Sequence, residues 1–262
     1  MKGPQRHMAG LDNIDNPEVD RDLLYDINGL ADGLPGWGER LVTFLGEYGI
    51  PVTLVLLVVA AWALVRRRPD APQAVAGAAW AGIAGAAAYA ANAPIREFVA
   101  RPRPFEDHEG INVLVEGKGG YSFVSDHAGV AMAIAVALFL VHRLLGVVAF
   151  CLALTQGFAR VLVGVHYPTD IVGGFALGTA VALLLAPPAM AALTPLFRAC
   201  AGTRRLGWVA NPRPAAAEPP PAADGAPGGS GEREPEREPE REPEREPEPE
   251  QSQAAPRGRL AT

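Results

Sequence analysis

The sequence has few of the residues from which disulfide frameworks, thiolate metal sites and nucleic-acid surfaces are built. Of its 262 residues only two are cysteines, Cys151 inside an apolar run and Cys200 just after the last such run. Two thiols placed in this way exclude a disulfide framework and a cysteine-based metal centre. Lysine and arginine form no clustered basic surface, so we expect no nucleic-acid partner.

The first 40 residues also lack the uninterrupted apolar core of a secretory signal. They carry instead a set of carboxylates: Asp12, Asp15, Glu18, Asp20 and Asp22. We therefore expect no cleaved signal peptide and interpret residues 1–18 as a flexible N-terminus.

The net charge of −6 comes from one segment near the C-terminus. Residues 232–250 hold ten Glu and four Arg, which gives 4 − 10 = −6 and leaves the remainder neutral. The overall acidity therefore says nothing about a substrate. Proline at every fourth residue of this repeat forbids a continuous helix, and high charge without apolar residues forbids a core. We predict that residues 201–262 form a disordered cytoplasmic tail that acts as a spacer, with a specific binding role as the alternative.

Long apolar runs dominate the middle of the chain. A transmembrane helix needs about 20 mostly apolar residues, and five candidate spans cover residues 42–65, 73–95, 128–141, 144–164 and 171–193. The third is short and is expected to begin at Ser125. The sequence predicts an all-α integral membrane helical bundle of about five transmembrane helices within residues 19–200. A soluble all-α core is the alternative that runs of this length disfavour.

Residues 19–37 have apolar side chains at helical spacing with aspartates between them. This pattern predicts an N-terminal amphipathic helix on the membrane surface, and it equally fits a helix packed over the mouth of the bundle.

Positive charge predicts the orientation of the bundle. If the five spans alternate, one set of arginines lies on a single side: Arg66, Arg67, Arg68, Arg143, Arg198, Arg204 and Arg205. We take that side as cytoplasmic. The predicted location is a multi-pass protein of the cell membrane with its active site facing outside and its C-terminal tail in the cytoplasm.

Three polar stretches abut the apolar runs on the predicted outer side, where ionisable groups are costly unless they serve a site. The third stretch runs from Arg160 to Asp170. Pro168 suits the first turn of the fifth helix, which places His166 at its outer end. Asp170 could accept a hydrogen bond from one imidazole nitrogen and leave the other free to attack. A helix cap beside an interfacial histidine is the ordinary alternative.

The other two stretches offer cations and a helix end. Ser125 is a good N-cap for the third helix, whose N–H groups could bind an anion, and His127 in the same turn could donate a proton. In the first stretch, Arg96 and Arg103 have the planar fork that suits phosphate oxygens. Flanking positive charge is the alternative there, and Arg101 fits it better than the other two. We also expect Glu47 to lie near the outer interface without a function. His108 is expected to be solvated, with a contact to substrate as the alternative.

Together these stretches resemble the type 2 phosphatidic acid phosphatase (PAP2) superfamily of membrane lipid phosphatases. Its signature is Lys-x6-Arg-Pro, Pro-Ser-Gly-His and Ser-Arg-x5-His-x3-Asp. The matching segments here are Arg96-x6-Arg103-Pro104, Val124-Ser125-Asp126-His127 and Ala159-Arg160-x5-His166-x3-Asp170, in the same order and with the same spacings.

The chain departs from this signature at four positions. Arg96 replaces lysine, Val124 and Asp126 replace the proline and glycine that flank the serine, and Ala159 replaces serine. The Ser-Asp-His form and the Arg-Pro-Phe that begins at Arg103 are similar to one subgroup, the undecaprenyl-diphosphate phosphatases of the bacitracin-resistance type.

The resemblance implies a role for each matched residue. His166 attacks phosphorus and forms a phosphohistidine, Asp170 orients His166, and His127 protonates the leaving oxygen. The implied phosphate-binding residues are Arg96, Arg103, Ser125, Asp126 and Arg160. Because arginines supply the positive charge, no metal and no cofactor is expected.

The sequence thus predicts a membrane phosphatase acting on a lipid phosphate or diphosphate, with undecaprenyl diphosphate as the best candidate. Phosphatidic acid or phosphatidylglycerol phosphate is an alternative substrate. A non-catalytic lipid-phosphate binding or transport protein is the alternative of another class. A soluble relative such as a vanadate-dependent haloperoxidase is disfavoured by the long spans. The sequence does not determine the oligomeric state.

Overall fold

The computed structural model describes residues 18–115, 117 and 119–211. Within these residues the chain is helical, with connecting turns and no strand. The predicted flexible N-terminus, apart from Glu18, and most of the predicted tail lie outside the described residues.

Nine α-helices and two short variants make up the described chain. They are α1 (Glu18–Gly29), a 3₁₀ turn (Leu30–Gly33), α2 (Gly36–Phe44), a π-helical turn (Leu45–Gly49), α3 (Ile50–Val65), α4 (Ala71–Val99), α5 (Pro104–Asp107), α6 (Asp126–Val141), α7 (Arg143–Leu162), α8 (Pro168–Leu184) and α9 (Ala186–Ala201).

The predicted all-α membrane bundle is confirmed. Three helical stretches of the described chain are long and apolar enough to cross a membrane: α2 with α3, α4, and α7. The pair α8 and α9 makes a fourth if its two parts form one span, and α6 is a shorter apolar helix of 16 residues. Each of the five predicted spans therefore corresponds to observed helices, although α6 is shorter than the usual span.

The fifth predicted span was expected to be continuous, and the structure bends it by 50° between α8 and α9. Pro187 and Pro188 stand at the start of α9. Because proline has no N–H, neither residue can continue the hydrogen bonds of α8, and their rings crowd the preceding turn.

Helix α6 lies at the centre and packs against α4, α7 and α8. Its contact with α8 is close because small residues face each other. A Cβ built on Gly178 would lie 2.2 Å from the carbonyl oxygen of Gly129, and one on Gly174 would lie 2.8 Å from that of Ser125. The two glycines, one turn apart on α8, therefore let the helices approach closely, which fixes the start of α6 against the start of α8.

Helix α1 packs over the bundle, the second of the two placements that its pattern allowed. It ends at Gly29, short of the predicted boundary at residue 37. Its buried residues are Asp20, Leu24 and Asn28, one turn apart. The side-chain amide of Asn28 donates to the carbonyl oxygens of Asn112 and Leu162, at 2.9 Å each. These bonds tie α1 to the end of α7 and to the loop after α5.

The opposite end of the bundle carries the arginine flanks. Past α9, the indole of Trp208 meets that of Trp62 edge to face at 5.7 Å, and the amide of Asn211 donates to the carbonyl of Arg66 at 2.8 Å. The described structure therefore continues beyond the predicted boundary at residue 200, and the segment after α9 packs on the end of α3.

Candidate active site

The three polar stretches meet where α4 and α7 end and α6 and α8 begin. The amide of Ser125 donates to the carbonyl of Asp170 at 3.1 Å, which joins the second stretch to the third. The guanidinium of Arg103 donates to the carbonyl of Val165 at 2.9 Å, which joins the first to the third. Residues far apart in the sequence thus form one cluster at one end of the bundle.

His166 and Asp170 are both buried at the start of α8. Pro168 is the first helical residue, as expected, and Tyr167 before it is extended. The Nδ1 atom of His166 lies 3.4 Å from Oδ2 of Asp170, at the long end of hydrogen-bonding distance. The same Oδ2 accepts the amide of Tyr167 at 2.9 Å, so the backbone fixes the carboxylate beside the imidazole.

The pKa of His166 is lowered below its ordinary value of 6.5. Burial is the main cause, and the nearby positive charges of Arg160 and Arg103 act in the same direction, while Asp170 opposes them. A neutral imidazole keeps a lone pair, so this environment favours the form of histidine that can attack an electrophile.

Arg101 is a buried neighbour of Asp170 that sequence reasoning missed, because the expectation of flanking positive charge is wrong for it. Its side chain is 5% exposed. Its Nη1 donates to Oδ1 of Asp170 at 2.9 Å, and its Nη2 donates to Oδ2 of Asp20 at 2.8 Å. The guanidinium also lies 3.6 Å from the ring centroid of Tyr167. No signal in the sequence distinguishes it from an ordinary flanking arginine.

Arg103 is buried and bonded to backbone. Besides Val165 it donates to the carbonyls of Gly119 and Gly120, at 3.2 and 3.1 Å. Burial lowers the pKa of Arg103, and the like charges of Arg160 and Arg96 lower it further. An anion bound beside Arg103 would offset the positive charge of Arg160 and Arg96 there.

Arg96 pairs with the carboxylate of Asp126. Asn92, one turn before Arg96, is buried and donates to Oδ1 of Asp126 at 2.7 Å and to the carbonyl of Val124 at 2.8 Å. The carboxylate of Asp126 therefore holds an arginine and is not itself suited to hold phosphate, so any contact with phosphate must use its backbone N–H. Asn92 was also missed, as a lone polar residue inside an apolar helix.

Arg160 is almost fully buried, and its Nη1 pairs with the carboxylate of Glu47. Glu47, which was expected only near the outer interface, therefore lies at the candidate site. Glu47 lies in the π-helical turn, which the side-chain amide of Gln156 holds to α7 by donating to the carbonyl of Gly46 at 2.6 Å.

The Nε atoms of Arg96 and Arg160 are buried and have no hydrogen-bond acceptor among the described residues. Buried donors are normally satisfied. These two N–H groups are therefore suited to oxygens of a bound anion.

Ser125 caps α6 as expected, accepting the amide of Ala128 at 3.5 Å. His127 in the same first turn is half-buried and lines a pocket of about 290 Å³ together with Glu47 and Asp126. The rest of the pocket wall is mainly apolar and comes from α3, α4, α6 and α7: Pro51, Leu54, Val55, Tyr89, Val130, Ala131, Ile134 and Gln156. Polar groups at one end of an apolar pocket suit an amphiphilic ligand.

His108 is packed between aromatic rings, so the expectation that it is merely solvated is wrong. Its ring lies 5.9 Å from that of Tyr167 and 6.2 Å from that of Tyr25. In the part of the chain that the structure describes, no three His, Cys, Asp or Glu side chains are grouped so that they could hold a metal ion.

Cations grouped beside a helix N-terminus, with a buried histidine next to a carboxylate, suit transfer of a phosphoryl group. The apolar pocket wall suits a lipid as the leaving group. Fold and site thus define a membrane lipid phosphatase.

The chain belongs to the PAP2 superfamily, which it matches over residues 77–192. It is 31% identical over 146 residues to undecaprenyl-diphosphatase BcrC of Bacillus subtilis, covering 56% of this chain and 72% of that protein. It is also 31% identical over 188 residues to decaprenylphosphoryl-5-phosphoribose phosphatase of Mycobacterium tuberculosis, covering 70% of this chain and 91% of that one. The fold is also similar to the solved structure of a PAP2-type phosphatidylglycerolphosphate phosphatase from B. subtilis. The superposition includes 70% of this chain and 90% of that one, with 21% identity and a TM-score of 0.48. The predicted family is confirmed.

Proposed function

We propose that this phosphatase hydrolyses undecaprenyl diphosphate to undecaprenyl phosphate. The placement of His166 beside Asp170, within the cluster of Arg96, Arg103 and Arg160, carries the proposal. The relative from B. subtilis is named for this substrate.

In the proposed reaction the arginines and the N-terminus of α6 hold the terminal phosphate. An imidazole nitrogen of His166 attacks phosphorus, and the bond to the bridging oxygen breaks as a phosphohistidine forms. His127 gives its proton to that leaving oxygen, which departs as the lipid monophosphate. His127 then takes a proton from water, which attacks the phosphohistidine and releases inorganic phosphate. Asp170 stabilises the positive charge that His166 carries in between.

A second candidate substrate is a decaprenylphosphoryl phosphoribose, because the relative named for it aligns with more of this chain than BcrC does. Both candidates join a polyprenyl tail to a terminal phosphate. Phosphatidic acid and phosphatidylglycerol phosphate are the alternatives with acyl tails.

We further propose that the site faces outside and the C-terminal tail lies in the cytoplasm. The arginines at the ends of α3 and α9 lie at the opposite end of the bundle from His166 and Asp170, which supports this orientation. Labelling in intact cells with a membrane-impermeant thiol reagent tests it, using single cysteines at Asp107 and at Arg204 in a chain without Cys151 and Cys200. The Asp107→Cys protein should react and the Arg204→Cys protein should not. The reverse pattern would overturn the orientation.

The substrate test uses protein purified in detergent with a chelator present. Undecaprenyl diphosphate, decaprenylphosphoryl phosphoribose and phosphatidic acid are offered in parallel, and phosphate release is measured. We expect the highest kcat/KM with undecaprenyl diphosphate, no dependence on divalent metal, and no turnover by His166→Ala. The matched control is His142→Asn at the other end of the bundle. His142 caps α7 through a bond from the amide of Leu145, and asparagine can also cap a helix.

Each outcome decides one part of the proposal. Loss of activity with chelator contradicts the arginine-based mechanism, and turnover by His166→Ala contradicts the nucleophile. Preference for the phosphoribose lipid selects the second candidate. Binding of all three lipids without phosphate release identifies the non-catalytic alternative.

A further inference from the structure

Asp20 of α1 reaches the start of α8, where it contacts Thr169, a residue almost 150 positions later in the chain. Asp20 is 4% exposed. Its Oδ1 accepts the amide of Thr169 at 2.9 Å, and its Oδ2 accepts the hydroxyl of Thr169 at 2.6 Å. The N–H groups in the first turn of a helix have no acceptor within that helix. Asp20 supplies the acceptor for the N–H of Thr169 in α8.

The same carboxylate also holds Arg101. Three hydrogen bonds fix the orientation of this guanidinium. Nη2 donates to Asp20, and Nη1 donates to both Thr169 and Asp170. The ring of Tyr167 closes one face of the guanidinium. Because the guanidinium is fixed and binds Oδ1 of Asp170, it holds that carboxylate in one orientation, with Oδ2 toward His166.

We propose that Asp20 and Arg101 are positioning residues for phosphoryl transfer, acting through Asp170 on His166. This inference rests on the proposed role of His166 as the nucleophile. The chain of contacts runs Asp20, Arg101, Asp170, His166, and every member is buried.

The charges support this role. With their ordinary charges, Asp20, Arg101 and Asp170 sum to one negative charge in a buried cluster. His166 gains one positive charge when it is phosphorylated, and the cluster compensates it. Removing the charge of Asp20 makes the cluster neutral and lets the fork of Arg101 turn away from Asp170, so the attacking histidine loses both its orientation and its counter-charge.

A purely structural explanation is that Asp20 only ties α1 to the bundle. Asn28 provides the comparison, because it lies two turns further along the same buried face and binds Asn112 and Leu162 without touching Asp170. Asn28→Ala should loosen α1 as much as Asp20→Asn does, but without disturbing the histidine. Asp22→Asn is the control for charge, since Asp22 is an exposed residue on the same helix.

The experiment compares these three variants with the wild type in kcat, KM and the pH dependence of kcat/KM, with thermal unfolding measured in parallel. We expect Asp20→Asn to lower kcat by about 10-fold to 100-fold with KM little changed. Its acidic limb should move to lower pH, because Asp170 no longer supports the protonated imidazole. Arg101→Lys, which keeps the charge and loses the fork, should behave in the same way. Asn28→Ala should lower only the unfolding temperature, and Asp22→Asn should resemble the wild type.

Equal kcat and equal pH profiles for Asp20→Asn and Asn28→Ala would overturn the inference, because α1 would then act only as a structural strap. That result differs from failure of the proposed function. If His166→Ala keeps its turnover, the nucleophile is wrong. If His166→Ala is inactive and Asp20→Asn matches the wild type, only the positioning role is wrong.

Discussion

The guanidinium of Arg96 is paired with the carboxylate of Asp126, so two positions at which the chain departs from the family signature are in contact. Where the signature has lysine and glycine, this chain has a larger cation and a counter-charge for it. Asn92 fixes the carboxylate from the other side. The two substitutions therefore form a unit, and Asp126 sets the position of Arg96 at the phosphate site.

This contact predicts that Arg96→Lys and Asp126→Gly are not additive. Asp126→Gly alone leaves Arg96 uncompensated next to Arg103 and Arg160, whereas the double variant restores the residues of the signature. We expect a coupling of about 0.5–3 kcal/mol in the activation free energy, taken from kcat/KM over a double-mutant cycle.

Glu97 is the control, because it is exposed and follows Arg96 directly. Glu97→Gln combined with Arg96→Lys should be additive. Additive behaviour of the Asp126 cycle would show that the ion pair has no part in catalysis.

The pairing of Glu47 with Arg160 predicts competition with phosphate. In Glu47→Gln the guanidinium of Arg160 loses its counter-charge, so inorganic phosphate should inhibit at lower concentration than in the wild type. In this variant the buried charge of Arg160 has lost its partner, which should destabilise the fold by about 3–5 kcal/mol. We expect a lower unfolding temperature that added phosphate partly restores. Unchanged inhibition by phosphate would show that Glu47 does not face the anion.

The depressed pKa of His166 predicts the pH dependence of activity. Because the pKa of His166 is lowered from 6.5 in the folded protein, its imidazole becomes protonated only at a pH below 6.5. Activity lost by protonation of this histidine should therefore give kcat/KM an acidic limb below pH 6.5. Between pH 6.5 and the folded pKa the unfolded chain binds a proton that the folded chain does not. Stability is therefore lost as the pH falls through this window.

Asp170→Asn tests the opposing contribution. Asp170 raises the pKa of His166, so this variant should be slower and should keep its imidazole neutral to still lower pH. The measurement is kcat/KM against pH for both proteins. An acidic limb above pH 6.5 in the wild type would contradict the assignment of that limb to His166.

The contact between α6 and α8 predicts unequal tolerance of two glycines. Gly178→Ala places a methyl group 2.2 Å from the carbonyl oxygen of Gly129 and should destabilise by about 1–3 kcal/mol. Gly82→Ala is the matched control on α4, where the new methyl group would meet Val58 at an ordinary 3.9 Å. Thermal unfolding in detergent should separate the two variants, and equal unfolding temperatures would show that α6 and α8 do not pack this closely.

Much of the fold could be predicted because its determinants are local. The length of an apolar run predicts a span, Ser125 predicts the start of α6, and Pro168 predicts the start of α8. The bend after Leu185 was missed although Pro187 and Pro188 are visible in the sequence, since an apolar run alone does not show where hydrogen bonding stops.

The residues of the candidate site also fall into two groups, those that the sequence pointed to and those that only the structure revealed. The polar stretches, together with their resemblance to the PAP2 signature, pointed to His127, His166, Asp170 and the three arginines of the signature as candidates, because ionisable groups beside apolar runs are costly unless they serve a site. Only the tertiary structure decided the partners of those groups: Asp126 for Arg96, Glu47 for Arg160, and Asp20 with Arg101 for Asp170. These partners come from other helices, and which faces of two helices meet depends on packing across the whole bundle. Periodicity within one segment carries no such information, so a buried carboxylate such as Asp20 looks in the sequence like any acidic residue of an amphipathic helix.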